Sequence, residues 1–355
     1  MELWISIFQF VGALIALIIV HELGHFIAAR SLNVEVEEFG IGFPPRLFTL
    51  FTVWGTKFTL NAIPLGGFVR PKGENDPNIP GGLAHASPWV RLVVLVSGPL
   101  ANLLVAALLY TTIFSRMGSP DTTQVQIVNI AENSPAAVAD LQPGDLILTV
   151  NGQQVTNTDT LSRLIAANLG EPTTITYQRG NETSEISLVP RPNPPSGEGA
   201  IGIVMGNPTL SVGWFEALPA GTAAVYYHSK ALLELPVNLI RGEVSPEEGR
   251  LVGFKGMFDI YQDVREGEVF PGTPRDVNIM FFFTNITISL GLLNLFPFPA
   301  LDGGRILFTL PEILFRRRIP PEYEGVINLV GFGILIMLLL YINLQDFISP
   351  VSLPR

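Results

Sequence analysis

The chain contains no cysteine among its 355 residues. Disulfide scaffolds and thiolate metal sites are thereby excluded, and any metal must be held by nitrogen and oxygen donors. Charge is also scarce: Asp, Glu, Lys and Arg make up 15% of the chain, against about 25% in an ordinary soluble domain. Basic residues are the scarcer sign, 21 against 31 acidic, and the net charge of −10 excludes no membrane role but argues against nucleic acid as a partner. Histidine occurs only four times, so each one can be weighed individually.

What is abundant is apolar, at 48% of residues. Four segments can cross roughly 30 Å of hydrocarbon at about 1.5 Å per residue, namely residues 3–29, 89–114, 277–296 and 326–342. The first lacks a basic n-region and is too long for a signal peptide, so it is expected to be retained as a transmembrane helix. A fifth stretch, residues 214–240, carries Glu216, His228, Lys230 and Glu234. Pro219 and Pro236 are expected to interrupt it, and it reads as an amphipathic or re-entrant element.

Inside the first apolar run lies His21-Glu22-Leu23-Gly24-His25. On a helix this spacing puts both imidazoles on one face, within reach of one Zn²⁺, with the glutamate placed as general base. Two histidines and a carboxylate are costly in a bilayer, which makes them functional candidates. Catalytic zinc takes a third protein ligand. His85 and His228 have no partner motif; Asp302 does, in Asn294-Leu295-Phe296-Pro297-Phe298-Pro299-Ala300-Leu301-Asp302-Gly303. Two prolines there must break a helix at membrane depth, which is tolerated only inside protein or beside a wet cavity. The Asn294 amide reads either as a substrate or oxyanion donor or as a partner for carbonyls freed by Pro297.

Between the first two spans, Phe58 to Val69 is rich in aromatic and β-branched residues punctuated by Pro64, Gly66 and Gly67. It predicts short strands and turns in a small membrane-associated β-element, whose edge could receive an unwound substrate. Residues 122–205 read as a water-soluble β-rich module, with strands around Val125 to Val128 and Thr174 to Tyr177 and a helix from Thr160 to Leu169. Ser134 to Gly152 resembles a bacterial-type PDZ domain. In the permuted bacterial form the carboxylate-binding element comes late, and Gly199, Ala200, Ile201 and Gly202, before Ile203, look like that peptide-binding element after a polar linker, residues 191–198.

Taken together, the HExxH motif, the Asn-x-x-Pro-x-Pro-x-Leu-Asp-Gly motif and the PDZ-like module between them resemble the site-2 protease family of intramembrane metalloproteases. Gly98-Pro99-Leu100-Ala101-Asn102 and Pro64-Leu65-Gly66-Gly67-Phe68 also resemble family signatures, whereas Leu251-Val252-Gly253-Phe254-Lys255-Gly256 replaces the family's Gly-Pro-x-Gly stretch. The resemblance implies a zinc protease with Glu22 as base and His21, His25 and Asp302 as ligands. Its substrates would be single-pass membrane regulators, such as anti-sigma factors or transcription-factor precursors, and its setting the bilayer of a bacterial-type inner membrane. The module would act as a size filter or bind a new C-terminus.

Short loops rich in Arg and Lys orient the spans. Arg305, Arg316, Arg317 and Arg318 in one loop, and Arg30, Arg46, Lys57, Arg70 and Lys72 in another, place both on the cytoplasmic side. The PDZ-like module is then extracytoplasmic, and the histidines and Asp302 share a depth near the cytoplasmic face. The expected architecture is a polytopic α-helical membrane protein of about four transmembrane helices with an inserted β-rich PDZ-like domain. Its parts are residues 1–121 (HExxH helix, β-element, second span), 122–205 (PDZ-like), 206–275 (juxtamembrane) and 276–355 (LDG motif). Two other classes compete: a catalytically inactive PDZ-bearing scaffold, which would have no reason to keep all four polar residues, and a transporter, which repeated halves would have signalled.

Overall fold

A computed structural model describes residues 2–74, 76–195, 197–247, 249–267 and 273–351. Ser196 of the polar linker and the side chains of Pro64 and Leu65 lie outside what is described. The chain forms two compact units, residues 1–113 with 221–355, and residues 114–220.

In chain order the elements are α1 (Glu2–Ser31), β1 (Val36–Val53), β2 (Thr56–Pro71), α2 (Pro88–Met117), β3 (Ser119–Pro120), β4 (Val125–Ile130), α3 (Pro135–Val138), β5 (Leu146–Val150), β6 (Gln153–Gln154), α4 (Thr158–Ala166), β7 (Thr173–Arg179), β8 (Glu182–Leu188), β9 (Ile203–Gly206), β10 (Thr209–Leu210), α5 (Trp214–Arg241), α6 (Phe254–Glu266), α7 (Arg275–Leu295), α8 (Asp302–Phe315) and α9 (Pro321–Ile348). Among the described residues four helices, α1, α2, α7 and α9, are long and apolar enough to cross a membrane.

Two expectations need correction. The β-element is not a set of short strands but two long antiparallel ones, β1 and β2, joined at Trp54-Gly55, both with positive φ. Each strand bends, β1 near Gly42 and β2 near Gly66, both at positive φ. The bends let residues 38–41 pair with 57–60 on one side while 36–41 pairs with 67–71 on the other, and 46–53 pairs back onto 56–61. Glycine and proline, read as strand breakers, here turn the strands without ending them. The second correction concerns residues 214–240: α5 runs continuously through Pro219 and Pro236. A proline removes one ladder hydrogen bond and bends a helix, and the remaining bonds of a 28-residue helix carry it past.

Glu38 ties the bent sheet together. Its buried carboxylate accepts from Arg46 Nε (3.1 Å) and Nη2 (2.9 Å), Arg70 Nη1 (3.0 Å) and Thr59 Oγ1 (2.8 Å). Burial pushes this carboxyl up, but the Thr59 hydroxyl and the two guanidiniums outweigh it and hold it below the usual range. Beside it, Phe39 and Val36 pack with Phe26 and Ala29 of α1, so the sheet is fixed against the histidine-bearing helix.

Residues 114–220 fold around an antiparallel sheet ordered β8-β7-β5-β4-β9, with β6 on β5. Asn151-Gly152, both at positive φ, make the tight turn from β5 to β6. Asn157 caps α4 through Thr160 N at 2.7 Å, and Leu161 and Ile165 of that helix join Ile127, Ile147, Ile175 and Ile201 in one core. Asp145, almost fully buried, accepts from Arg179 Nε (2.8 Å) and from Gln142 N (2.8 Å).

Candidate metal centre

Three donor groups converge where α1 meets the start of α8. His21 Nε2 lies 3.1 Å and His25 Nε2 3.3 Å from Asp302 Oδ2, and the two Nε2 atoms are 3.2 Å apart. Helical spacing puts both imidazoles on one face, edge to face at 83°; the helix break after α7 supplies the carboxylate. The break is built for that purpose. Ala300 adopts φ +74, a conformation unfavourable for a residue with a Cβ, and its N–H donates to Asn328 Oδ1 of α9 at 3.1 Å. Gly303 and Gly304 then let α8 start directly against the preceding segment, since a Cβ on either would lie within 2.3 Å of the Leu295, Phe296 or Phe298 carbonyl oxygens.

Two further glycines set the helix spacing. A Cβ on Gly24 would approach Ser97 O to 2.3 Å, and one on Gly98 would lie 2.3 Å from His25 Nε2. Their absence brings α2 close enough for Val94 O to accept from His25 Nδ1 at 2.7 Å. That bond places the proton on Nδ1 and leaves Nε2 a lone pair. On the other side of His21, Asn102 Nδ2 stands 3.5 Å from Nδ1.

These groups open into a cavity of about 350 Å³ lined by Glu22, Asn294, Asp302, Arg305, Glu74 and the strand residues Phe68 and Val69. Glu22 borders it beside the sheet: a Cβ on Gly67 would sit 3.4 Å from its Cγ. Asn294 lines the cavity, but its Nδ2 donates to Leu290 O at 3.0 Å, within its own helix. His85 and His228 stand apart, bonded to Pro77 O and to the Tyr110 hydroxyl.

The donor set fits zinc. One oxygen and two nitrogen atoms lie within 4.8 Å of one another, no thiolate is needed, and His25 already has the supporting bond a metal ligand requires. Arg305, read from the sequence as a loop charge that orients the spans, lies instead in α8, where its Nη1 pairs with Glu74 Oε1 at 2.6 Å on the cavity wall; the carbonyl of Val94 was not foreseen at all. Arg305 follows Asp302 by one helical turn, and that spacing was the available signal; a backbone carbonyl leaves none.

The peptide-binding loop expected at Gly199, Ala200, Ile201 and Gly202 is tied down internally. Gly202 N donates to Gly199 O (3.0 Å), the carbonyls of Ala200, Ile201 and Gly202 accept from Arg191, Ala136 and Ala131, and Gly202 has φ +73. β9, which follows this loop, is an edge strand of its sheet.

Comparison with known proteins places these features. The family model for peptidase family M50 matches residues 9–338. The Campylobacter jejuni protein named "Putative zinc metalloprotease Cj1068" is 34% identical over 353 residues, covering 93% of this chain and 90% of that protein. A Clostridium perfringens protein with the same description is 29% identical, covering 95% and 96%. Among solved structures, the PDZ domain of an SdrC-like protein from Listeria innocua aligns with 23% of this chain and 92% of its own, at 29% identity and a TM-score of 0.21.

Proposed function

Because the chain belongs to peptidase family M50, the site-2 protease family, we propose that it cuts transmembrane segments of membrane-anchored regulatory proteins, releasing them by regulated intramembrane proteolysis. Zinc is its cofactor, and its four long apolar helices make it an integral membrane protein. The observation that carries the proposal is the convergence of His21, His25 and Asp302 beside Glu22, on helices whose outer faces are apolar.

His21, His25 and Asp302 would hold the metal, which supplies a water of lowered pKa and polarisation of the scissile carbonyl. Glu22 is the base: it takes the proton from the attacking water and returns it to the leaving amine. It is not a ligand. Asn294 faces the same cavity and is assigned to the substrate backbone, its bond to Leu290 O being exchangeable. A substrate helix must be unwound before its peptide bonds are reachable, and residues 67–71 offer the pairing edge. Among the described residues that segment pairs as a strand with 36–41 on one side only, and Phe68 and Val69 line the cavity. Arg30, Arg316, Arg317 and Arg318 support an active site near the cytoplasmic face of a bacterial-type inner membrane.

On the same charge argument residues 122–205 form an extracytoplasmic PDZ-like domain that selects substrates by their outer portions. All proposed ligands lie outside this stretch, so the chemistry does not need it. The test is cleavage of a model transmembrane substrate by the purified protein with and without a zinc chelator. Chelator-sensitive cleavage within the apolar segment is expected; cleavage confined to its water-exposed flanks would refute the intramembrane reading. A variant lacking 122–205 should also cut substrates with bulky outer domains that the full chain spares, and unchanged preference would refute the filter.

A further inference from the structure

Asn102 is an amide at zero exposure within a helix otherwise suited to lipid, and no step above uses it. Its Nδ2 stands 3.5 Å from His21 Nδ1, and its Oδ1 has no partner among the described residues. We propose that Asn102 is a positioning residue that supports the metal-binding tautomer of His21, turning its carboxamide so that Oδ1 accepts from Nδ1–H and Nε2 is free to bind zinc.

The two histidines differ in their support. His25 Nδ1 faces a carbonyl, which can only accept, so its tautomer is fixed. His21 Nδ1 faces a carboxamide, whose two ends exchange by a half-turn about χ2. With Nδ2 toward the ring, the imidazole proton sits on Nε2 and points at Asp302 Oδ2, 3.1 Å away. With Oδ1 toward the ring, the proton sits on Nδ1 and the Nε2 lone pair points at the shared donor site. One side chain thus satisfies both tautomers, and metal binding costs His21 no hydrogen bond.

The surroundings hold Asn102 at this station. Its backbone carbonyl accepts from Thr287 Oγ1 of α7 at 3.3 Å. Gly291, one turn along α7, lies against it so closely that an added Cβ would be 3.4 Å from Asn102 Cβ and 3.1 Å from Pro99 O. The Gly98-Pro99-x-x-Asn102 stretch then reads as a unit: Gly98 admits the His25 ring, and Asn102 supports His21.

The inference rests on His21 being a zinc ligand, and the experiment separates the two. Zinc affinity of the full-length protein in detergent is measured by competition with a chromogenic chelator for the wild type, Asn102→Leu, Asn102→Asp and His21→Ala, with thermal melting as a check of folding. Asn102→Leu fills the space but cannot accept, and should weaken zinc about 10- to 100-fold. Asn102→Asp, an obligate acceptor, should restore affinity to near wild type. Should the Leu variant not fold, Asn102→Ala removes the acceptor without added bulk and carries the same comparison. Wild-type affinity in the Leu or Ala variant, or equal loss with Leu and Asp, would overturn the role of Asn102. Undiminished zinc in His21→Ala would instead overturn the ligand assignment beneath it.

Discussion

The two units of the chain both bury apolar clusters, but they differ in what they expose and in which polar groups they enclose. Residues 114–220 enclose apolar side chains: Val125, Ile127, Ile147 and Ile175 are at most 2% exposed, and the buried polar groups Ser134, Asp145 and Thr173 all have local partners. The unit of 1–113 and 221–355 displays its apolar residues. Phe8 is 76% and Leu329 71% exposed, while His21, Asn102, Asn278, Thr284, Thr287 and Asp346 are inside. Water rewards the first arrangement and hydrocarbon the second. In the module, buried polar groups cap a helix or anchor a turn. In the helical unit some stand at the metal centre, as His21 and Asn102 do, and others tie elements together, as Asp346 does by accepting from Arg250, Gly253 N and Gly256 N.

The comparison predicts where a single substitution removes function without unfolding the protein. Glu22→Gln should lower proteolysis by about 10²- to 10⁴-fold while zinc stays bound, since the amide cannot take the proton and no ligand has changed. Cleavage assays paired with metal analysis check this, and wild-type turnover would end Glu22's role as base. A smaller effect follows from spacing alone. Gly98→Ala puts a methyl group where the His25 ring lies and should weaken zinc about 10- to 100-fold, through a displaced ligand and with no change in donor chemistry. Equal zinc affinity in that variant would mean that α2 yields more readily than its packing indicates.

The module should respond in the opposite sense, losing stability but not chemistry. Arg179→Met leaves the Asp145 carboxylate buried without its cation and should lower the midpoint of the module's unfolding transition, less than loss of a fully buried partner would because Arg179 is 37% exposed. Catalysis on a substrate without an outer domain should be unchanged. Burial raises the Asp145 pKa, but the bonds from Arg179 and Gln142 outweigh it, so the folded value lies below the ordinary one of about 3.9. The stabilisation is therefore complete above that value and is lost as pH falls through the lower folded one. Scanning calorimetry of the full-length protein should show the module's transition falling on acidification, and less steeply in Arg179→Met. A parallel decline in both would remove Asp145 as the cause.

Much of this was legible in the sequence because it is local. His21 and His25 are a helical turn apart, so their shared face follows from spacing, and the apolar runs declare the long helices. Asp302 lies far along the chain, but its place after a proline-broken span gave it a depth that matched the histidines. What escaped depends on contacts the sequence does not order. Pro64, Gly66 and Gly67 look like strand ends, and only the register shows the strand continuing past its bend. Pro219 and Pro236 look like helix ends, yet α5 continues past them. Asn102 is one amide in an apolar run, and its significance comes from the nitrogen atom it faces on another helix.

The central claim is that residues from opposite ends of the chain hold one zinc inside the apolar unit. X-ray absorption at the zinc edge of the full-length protein, wild type and Asp302→Ala, tests it most directly. The wild type should show one zinc with two imidazole nitrogens and oxygen donors at about 2.0–2.2 Å, and Asp302→Ala should lose the metal or the protein oxygen from its shell. An unaltered shell in Asp302→Ala, or a wild-type shell with fewer than two imidazoles, would contradict the account.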